Sequence, residues 1–443
     1  MKVVMAVTND LLTDRRVMRH AETLREAGCE VVCIGKRELG VKARRGWRFY
    51  AEYNVRLMLR LLRSRADIVW ANDTDTLAAC TLAAKLKGKK LVMDAHELFP
   101  EVPELIGRER VKRVWEWIER MMMPRCDALL TVCQSIADYY KERYGVEMVV
   151  VRNVRRVESG EWRVESGEWK VESGKWKVES GESADAGESS SLKMLLYQGA
   201  VNKGRGVDWA IDALEWLEDC RLVVAGGGDL LEEMKAYAAK KPWAERIAFM
   251  GRLMPEELEG LTRKADVGLV MLEDMGLSYH FALPNRIGDF VAAGVPMVVS
   301  DLPEMSRVVR EFGVGEVIES GERRVESGER RVESGERSAE SGEWRVESGE
   351  RRAESGEWGV ESGERGVESG DRGVESGKWR AECGERRARA LAEAVRRVLA
   401  REWTEKDFEA ARRDMDWDKE KEKLLGIVER FSRPEGRDTE QRN

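Results

Sequence analysis

The 443-residue chain has a net charge of −7, 36% charged residues and seven cysteines with no CxxC spacing. That length exceeds one ordinary domain and points to two or three. No apolar run approaches the roughly 18 residues that span a bilayer. The N-terminus, MKVVMAVTND, turns polar early and lacks a cleavage site, so it reads as a first strand and not as a secretion signal. Residues 1–153 carry 28 Lys+Arg against 21 Asp+Glu, leaving the acidic excess to the remainder. A basic first part favours an anionic partner such as a membrane surface or a diphosphate. No nucleic-acid motif or dense Lys/Arg block accompanies it, so no nucleic-acid partner is expected. The cysteines lie mostly in apolar runs, as reduced thiols of a cytosolic protein do.

In chain order, Lys2–Val7 is predicted to be a short buried strand. Asp14–Ala27 follows as a helix with Val17, Ala21 and Leu24 on one face, stopped at Gly28, and Glu30–Ile34 is a second strand. The alternation continues through helix Val55–Arg63, strand Ile68–Ala71, helix Thr76–Leu86, strand Lys90–Asp94, helix Val111–Met122, strand Ala128–Val132, helix Ser135–Arg143 and strand Met148–Val151. Such a pattern builds a doubly wound parallel sheet and accounts for a first domain over residues 1–153.

At Arg155 the composition changes abruptly to a seven-residue unit, VESGEWR, VESGEWK, VESGKWK, which returns from about Ile318 to Glu385 with Arg often replacing Trp. As a helix, the unit places Ser-Gly in every second turn, at about 1 kcal/mol per Gly relative to Ala, and offers only one Val stripe. As a strand, it changes face at each odd repeat. Irregular surface loops are therefore expected over 154–191, between the domains, and over 319–385. Loop-closure entropy tolerates such insertions because it grows only logarithmically with length. A multivalent binding tract or a heptad coil is the other reading.

Between and beyond the tracts the alternation resumes. Residues 192–318 hold strand Lys193–Gln198, helix Val207–Leu217, strand Arg221–Ala225, helix Leu230–Lys240, strand Ile247–Phe249, helix Pro255–Lys264 and strand Val267–Met271. The stretch LPNRIGDFVAAGVPMVVSD then reads as a loop opening helix Arg286–Ala293. Gly294 suits the left-handed residue past that helix, Pro296 prevents its resumption, and strand Met297–Ser300 follows. Strand Gly315–Ile318, helix Ala388–Ala400 and a helical region Glu405–Phe431 close the chain, with residues 386–443 completing the second domain and packing back toward the first.

A helix start carries unpaired N–H groups and a partial positive charge, so the one opened by LPNR suits a phosphate. Asp289, one turn further in, can accept from the vicinal hydroxyls of a ribose; a capped structural helix with a solvated Asp is the other reading of this stretch alone. Asp73-Thr74-Asp75 lies where a strand gives way to a helix, which favours N-capping and acceptor contact over a metal. Gly226–Gly228 lacks the third spaced glycine of a dinucleotide fingerprint. Of the three histidines, His20, His96 and His280, only His96 lies just beyond a strand's C-terminal end, where open α/β sheets place their ligands.

Taken together, TNDLLTDRRVMRHAETLREAG, ADIVWANDTDTL and VMDAHELFPE in the first half, with YQGAVNKGRGVDWAIDAL, LVVAGGGDL, IAFMGRL, ADVGLVML and LPNRIGDFVAAGVPMVVSDLPE in the second, resemble family-4 glycosyltransferases of the GT-B type. The resemblance implies an α/β fold of two Rossmann-like doubly wound domains facing across a cleft, acceptor-side first and nucleotide-sugar-binding second. It implies a retaining, hexosyltransferase-type enzyme that moves a sugar from a nucleotide-sugar to a glycan or lipid-linked acceptor, without cofactor or metal. Its setting would be bacterial surface polysaccharide synthesis, lipopolysaccharide included, in the cytoplasm or peripherally on the inner face of the membrane.

Residue by residue, Arg205 stands where the family commonly has the Lys that clamps the donor diphosphate. The usual Arg shortly after the strand is replaced by Ala200, with Lys203 as a candidate substitute. Gly199, Gly204, Gly227, Arg252, Pro284, Asn285 and Arg286 complete the implied donor site. Asp289 is the second acidic position of the family's Glu-x7-Glu signature and would hold the ribose. The first acidic position falls on Phe281, so a donor-sugar contact is lost, or replaced by Asn285 and the backbone of LPNR. His96 matches a histidine that faces the donor sugar, and with Glu97 and Arg205 it forms the implied catalytic group. Asn9, Asp10, Asn72, Asp73 and Asp94 fall on the acceptor side, and Asp94 and Glu97, which flank His96, could orient its imidazole or receive an acceptor proton.

Two alternatives share these residues: another GT-B enzyme such as a nucleotide-sugar epimerase, or a disabled transferase scaffold whose repeats bind partners. Two basic amphipathic stretches suit either an anionic membrane or ordinary core helices with basic outer faces. In one, Arg56, Arg60 and Arg63 interleave with Leu57, Leu59 and Leu62; in the other, Lys112 and Arg113 adjoin Val114, Trp115, Trp117 and Ile118.

Overall fold

The structure, a computed structural model, describes residues 1–9, 11, 14–43, 46–156, 168–172, 175–179, 192–318 and 369–432, without the side chains of 168–179 and 369–383. In the first half, β1 (Lys2–Ala6), β2 (Glu30–Ile34), β3 (Ile68–Asn72), β4 (Lys90–Ala95), β5 (Ala128–Thr131) and β6 (Val149–Val150) form one parallel sheet in the order β2-β1-β3-β4-β5-β6. Runs such as IVWAN and KLVMDA are almost wholly buried, as parallel strands covered on both faces require. One face is covered by α2 (Gly46–Arg63) and α3 (Thr74–Lys87), through Tyr53, Leu57, Leu61, Cys80 and Ala83. The opposite face packs on α1 (Arg15–Glu26) through Val17, Ala21 and Leu24. Helices α4 (Glu109–Met122) and α5 (Gln134–Tyr144) complete this half.

The repeat tracts lie largely outside the described residues, but the described parts depart from the expected irregular loops. Strands β7 (Glu168–Glu172) and β8 (Lys175–Glu179) pair antiparallel, with Trp169 opposite Val178. Within one unit Trp and Val stand two apart, the period of a strand, so five residues pair although the period fails over successive units.

The second sheet comprises β9 (Lys193–Gln198), β10 (Cys220–Ala225), β11 (Ile247–Gly251), β12 (Val267–Val270), β13 (Met297–Ser300) and β14 (Gly315–Ile318), all parallel, in the order β11-β10-β9-β12-β13-β14. Strand order reverses beside β9, and beside β1 in the first sheet, so each sheet has a switch point at its C-terminal edge. The helices are α6 (Val207–Ala213), α7 (Leu231–Ala238), α8 (Pro255–Arg263), α9 (Leu277–His280), α10 (Asn285–Ala293), α11 (Pro303–Phe312), α12 (Ser369–Leu399), α13 (Glu405–Asp414) and α14 (Trp417–Ser432). Phe290 of α10 lies flat on β12: a Cβ at Gly268 would stand 2.6 Å from its ring, so this strand position requires glycine.

Several boundaries moved. Helix α2 starts nine residues before the predicted Val55, because Tyr53 and Asn54 are anchored: the Tyr53 hydroxyl donates to Val7 O at 2.7 Å, and Asn54 Nδ2 donates to Asp75 O at 2.8 Å. Helix α12 runs back into the last repeats, continuing from an end fixed by buried Leu391, Val395 and Val398. The final helical region breaks at Met415–Asp416 into α13 and α14, and α9 and α11 had not been predicted.

Helix α14 crosses back to the first half. Trp417 stacks on His20 at 5.6 Å and donates to Thr23 Oγ1 at 3.2 Å, while buried Glu420 accepts from Arg152 N at 3.0 Å and from its Nε at 2.8 Å. Trp417→Ala is expected to cost about 3–5 kcal/mol, read as a lowered urea midpoint. An unchanged midpoint would show that α14 contributes nothing to the first half.

Candidate active site

The C-terminal end of β4 delivers Asp94 and, two residues on, His96. Asp94 is fully buried and receives Arg16 through Nε at 2.9 Å and Nη2 at 2.6 Å. His20 Nδ1 lies 3.2 Å from the same carboxylate and His96 Nε2 lies 3.4 Å away. On the other side of His96, Asp73 accepts from the His96 backbone N–H at 2.8 Å and stands 3.3 Å from Nδ1. Burial opposes a charge on the imidazole, but Asp73 and Asp94 outweigh it and hold the His96 pKa up at about 9. Burial works against the Asp94 charge as well; Arg16 and His96 overcome it and keep its pKa well below the ordinary value. His20 goes the other way, down to about 4, through burial and the neighbouring Arg16 charge. His96 is thus the cationic histidine of the pair and His20 the neutral one.

Asp73 adopts φ 63° and ψ 166°, and is the one non-glycine residue at positive φ among those described. That region is nearly glycine-only and costs of order 1–3 kcal/mol. The expected N-cap is corrected: Asp73 sits at the cap position of α3 but makes no side-chain capping bond, because its carboxylate has turned to His96. Asp75 turns away to accept from Thr8 Oγ1 at 2.6 Å. Glu97 lines the cavity and keeps an exposed surface, yet is crowded by protein; burial, then Asp73 and Glu104, push its pKa up to about 7.

On the second sheet, Arg205 lies over the Tyr279 ring at 4.7 Å, on the loop between β9 and α6. Gly204 and Gly206 have positive φ, and a Cβ at Gly206 would stand 2.7 Å from Met271 Cβ, so the loop folds tightly under Arg205. The glycines after β10 bring that turn against the loop after β9. A Cβ at Gly226 would fall 1.7 Å from Gly199 O and one at Gly228 2.3 Å from Val201 O, so they let two loops touch backbone to backbone. Gly227 faces exposed Arg252. Helix α10 begins after Pro284 with no side-chain cap.

The two halves meet around one cavity of about 380 Å³. Asn9, Arg15, His96 and Glu97 line it from the first sheet, and Arg205, Tyr279, Leu283, Pro284 and Asn285 from the second. Of the residues expected on the acceptor side, Asn9 reaches this cavity and Asp10 lies outside the described residues. Asn72 and Asp94 are corrected: both are fully buried, Asn72 donating to Ala6 O at 2.9 Å, and neither can touch an acceptor. On the donor side, Lys203 is exposed and does not line the cavity. Asp289 also stands off it, its carboxylate taken by Arg155 Nε at 2.5 Å and Gln198 Nε2 at 3.1 Å. Phe281, at the expected first acidic position, packs on the core of the first half, and its carbonyl accepts from Cys133 Sγ at 3.2 Å. Sequence reasoning missed Arg15, Asn153 and Tyr279 as lining residues. Arg15 was legible in the basic pair after the first strand, whereas nothing local marks Tyr279.

Residues 13–154 match Glycosyltransferase Family 4, and residues 193–326 match Glycosyl transferases group 1, so the two matches take in both halves and more than half of the chain. The chain belongs to the family-4 glycosyltransferases of the GT-B type. Among the relatives of this chain, phosphatidyl-myo-inositol mannosyltransferase of Mycobacterium leprae is 30% identical over 135 residues, 29% of this chain and 34% of the relative. The chain therefore spans about a third of the length of the curated relatives it matches. Sucrose-phosphate synthase from Thermosynechococcus elongatus superimposes with a TM-score of 0.61 at 12% identity, covering 98% of this chain and 99% of the other. Anabaena HepE in complex with UDP-glucose gives 0.57 at 10% identity, covering 97% and 100%. These two likenesses show the fold.

The raised pKa of His96 has a stability consequence. Folding tightens proton binding from the ordinary 6.5 to about 9, so the contribution of His96 is fully present below pH 6.5 and is lost as pH rises through about 9. Between those values the stability of the wild-type protein is expected to fall more than that of His96→Gln, measured by urea denaturation at a series of pH values. Parallel curves would show that the imidazole is not held as a cation.

Proposed function

We propose that the protein transfers a hexose from a nucleotide-sugar to a hydroxyl of a glycan or lipid-linked acceptor, with retention of configuration, in bacterial surface polysaccharide synthesis. One observation carries the reading: a single cavity joins a cationic histidine from the first half to Arg205 and the open start of α10 from the second. Negative charge grows on the leaving diphosphate as the bond from its oxygen to the anomeric carbon breaks. A guanidinium and helix-start amides stabilise that charge without a metal. The acceptor oxygen forms the new glycosidic bond, and its proton passes to a phosphate oxygen of the leaving group. His96 donates to the donor sugar. Glu97, with a pKa of about 7 and an exposed surface in the cavity, exchanges protons with solvent.

The UDP-glucose complex of the Anabaena protein supports a nucleotide-sugar as donor, and the mannosyltransferase relative supports a hexose as the group transferred. Peripheral contact with a membrane, on its inner face in this reading, draws support for the contact alone from α4, which exposes Val114 and Trp117 beside Arg110 and Arg113, a basic and aromatic edge suited to anionic lipid. No helix among the described residues is long and apolar enough to cross a membrane.

Arg205→Ala is expected to lower turnover about 100- to 1,000-fold with an unchanged circular-dichroism spectrum. Turnover is measured as nucleoside diphosphate release across a panel of nucleotide-sugars. Near-normal release would remove the diphosphate clamp from the proposal.

A further inference from the structure

Arg286 is the second residue of α10 and is only 6% exposed. Its guanidinium lies over the Tyr197 ring at 4.8 Å, at the end of β9. There it stands beside Gly199, where an added Cβ would be 3.5 Å from both Cζ and Nη1. Among the described residues no carboxylate pairs with it, and Nη1 is sealed from solvent without a hydrogen-bond acceptor. Asp289, the acid one turn along the same helix, is already engaged by Arg155 and Gln198. An arginine buried to this degree normally ends on a carboxylate, since removing the ion from water is costly and an aromatic face compensates only in part. The uncompensated guanidinium sits on the first turn of a helix whose leading N–H groups no side chain caps. Arg286 itself stands behind the cavity wall, next to Pro284 and Asn285, which line it, at the switch point of the second sheet.

The sequence leaves a vacancy at the same place. The resemblance implies an arginine where this chain has Ala200, and Lys203 is exposed, whereas Arg286 is buried beside Gly199. We infer that Arg286, beside Gly199, is the second cation of the donor diphosphate site, acting with Arg205 and the start of α10. This rests on the proposed nucleotide-sugar reading and names which groups hold the phosphates. A guanidinium presents two parallel N–H donors to phosphate oxygens, a geometry that lysine cannot reproduce.

The test uses the full chain, Arg286→Met and Arg286→Lys, with calorimetric titration of UDP, GDP and ADP against UMP, GMP and AMP, and melting of the unliganded proteins. Wild type is expected to bind one diphosphate better than its monophosphate. Arg286→Met should weaken that diphosphate about tenfold or more, leave the monophosphate within about threefold, and melt no lower than wild type, because an unpaired buried charge has been removed. Arg286→Lys should fall between the two, and it serves as the test variant if Arg286→Met does not fold. A variant that keeps the wild-type ratio of diphosphate to monophosphate affinity overturns the inference and leaves the proposed function standing. So does a lowered melting temperature with that ratio unchanged, the mark of a purely structural arginine. A wild type that binds none of the six nucleotides overturns the proposed function itself.

Discussion

Asp94 has no access to water, yet three cationic or potentially cationic groups converge on it. A buried carboxylate is tolerated only when its charge is compensated and its lone pairs are used, and here Arg16 does most of that work with two parallel hydrogen bonds. The arrangement fixes α1 against the end of β4, because Arg16 also donates to Val151 O at 2.6 Å, beyond β6. Through His20 it reaches Trp417, so the last helix of the chain leans on the same charge that orients the cleft histidine. The strain at Asp73 has its counterpart here: a backbone held in a nearly glycine-only region places a second carboxylate on the far side of His96.

The two halves that line the cavity are held together by a few specific side-chain contacts. Glu304, in the first turn of α11 and almost fully buried, accepts from Ser135 N at 2.9 Å and Ser135 Oγ at 2.7 Å, across the boundary between the halves. Phe281 adds an apolar contact at the same boundary. A phenylalanine at a position where a carboxylate was expected therefore has a structural account: in this chain the position faces the other domain's core. Arg155, where the first repeat tract leaves the fold, binds both Glu259 and Asp289, so the linker is pinned to the second sheet at the acid expected to hold a ribose.

The fold was legible because its signals are local. Alternating strands of IVWAN type and amphipathic helices recur at a regular spacing, and Gly294 adopts the left-handed geometry expected past its helix, as Gly88, Gly145 and Gly313 do past theirs. The amphipathic run of α11, with Pro303 at its start and Gly313 at its end, carried the same signals and went unread. The repeat tracts were harder to read, because a seven-residue period satisfies neither helix nor strand over its full length while a single unit can still pair.

For the site, the chain's own order supplied residue types and positions: a histidine past β4, a basic loop past β9 and an uncapped helix start at LPNR. It could not supply partnership. Whether Asp94 meets acceptor or Arg16, whether Lys203 or Arg286 stands beside Gly199, and whether Asp289 is open or held by Arg155 depend on side chains far apart in sequence brought within hydrogen-bond reach. Periodicity and capping act over one or two turns and can be read along a strand or helix. Charge compensation acts through space and is decided only when the two sheets and the returning C-terminal helix have closed around it.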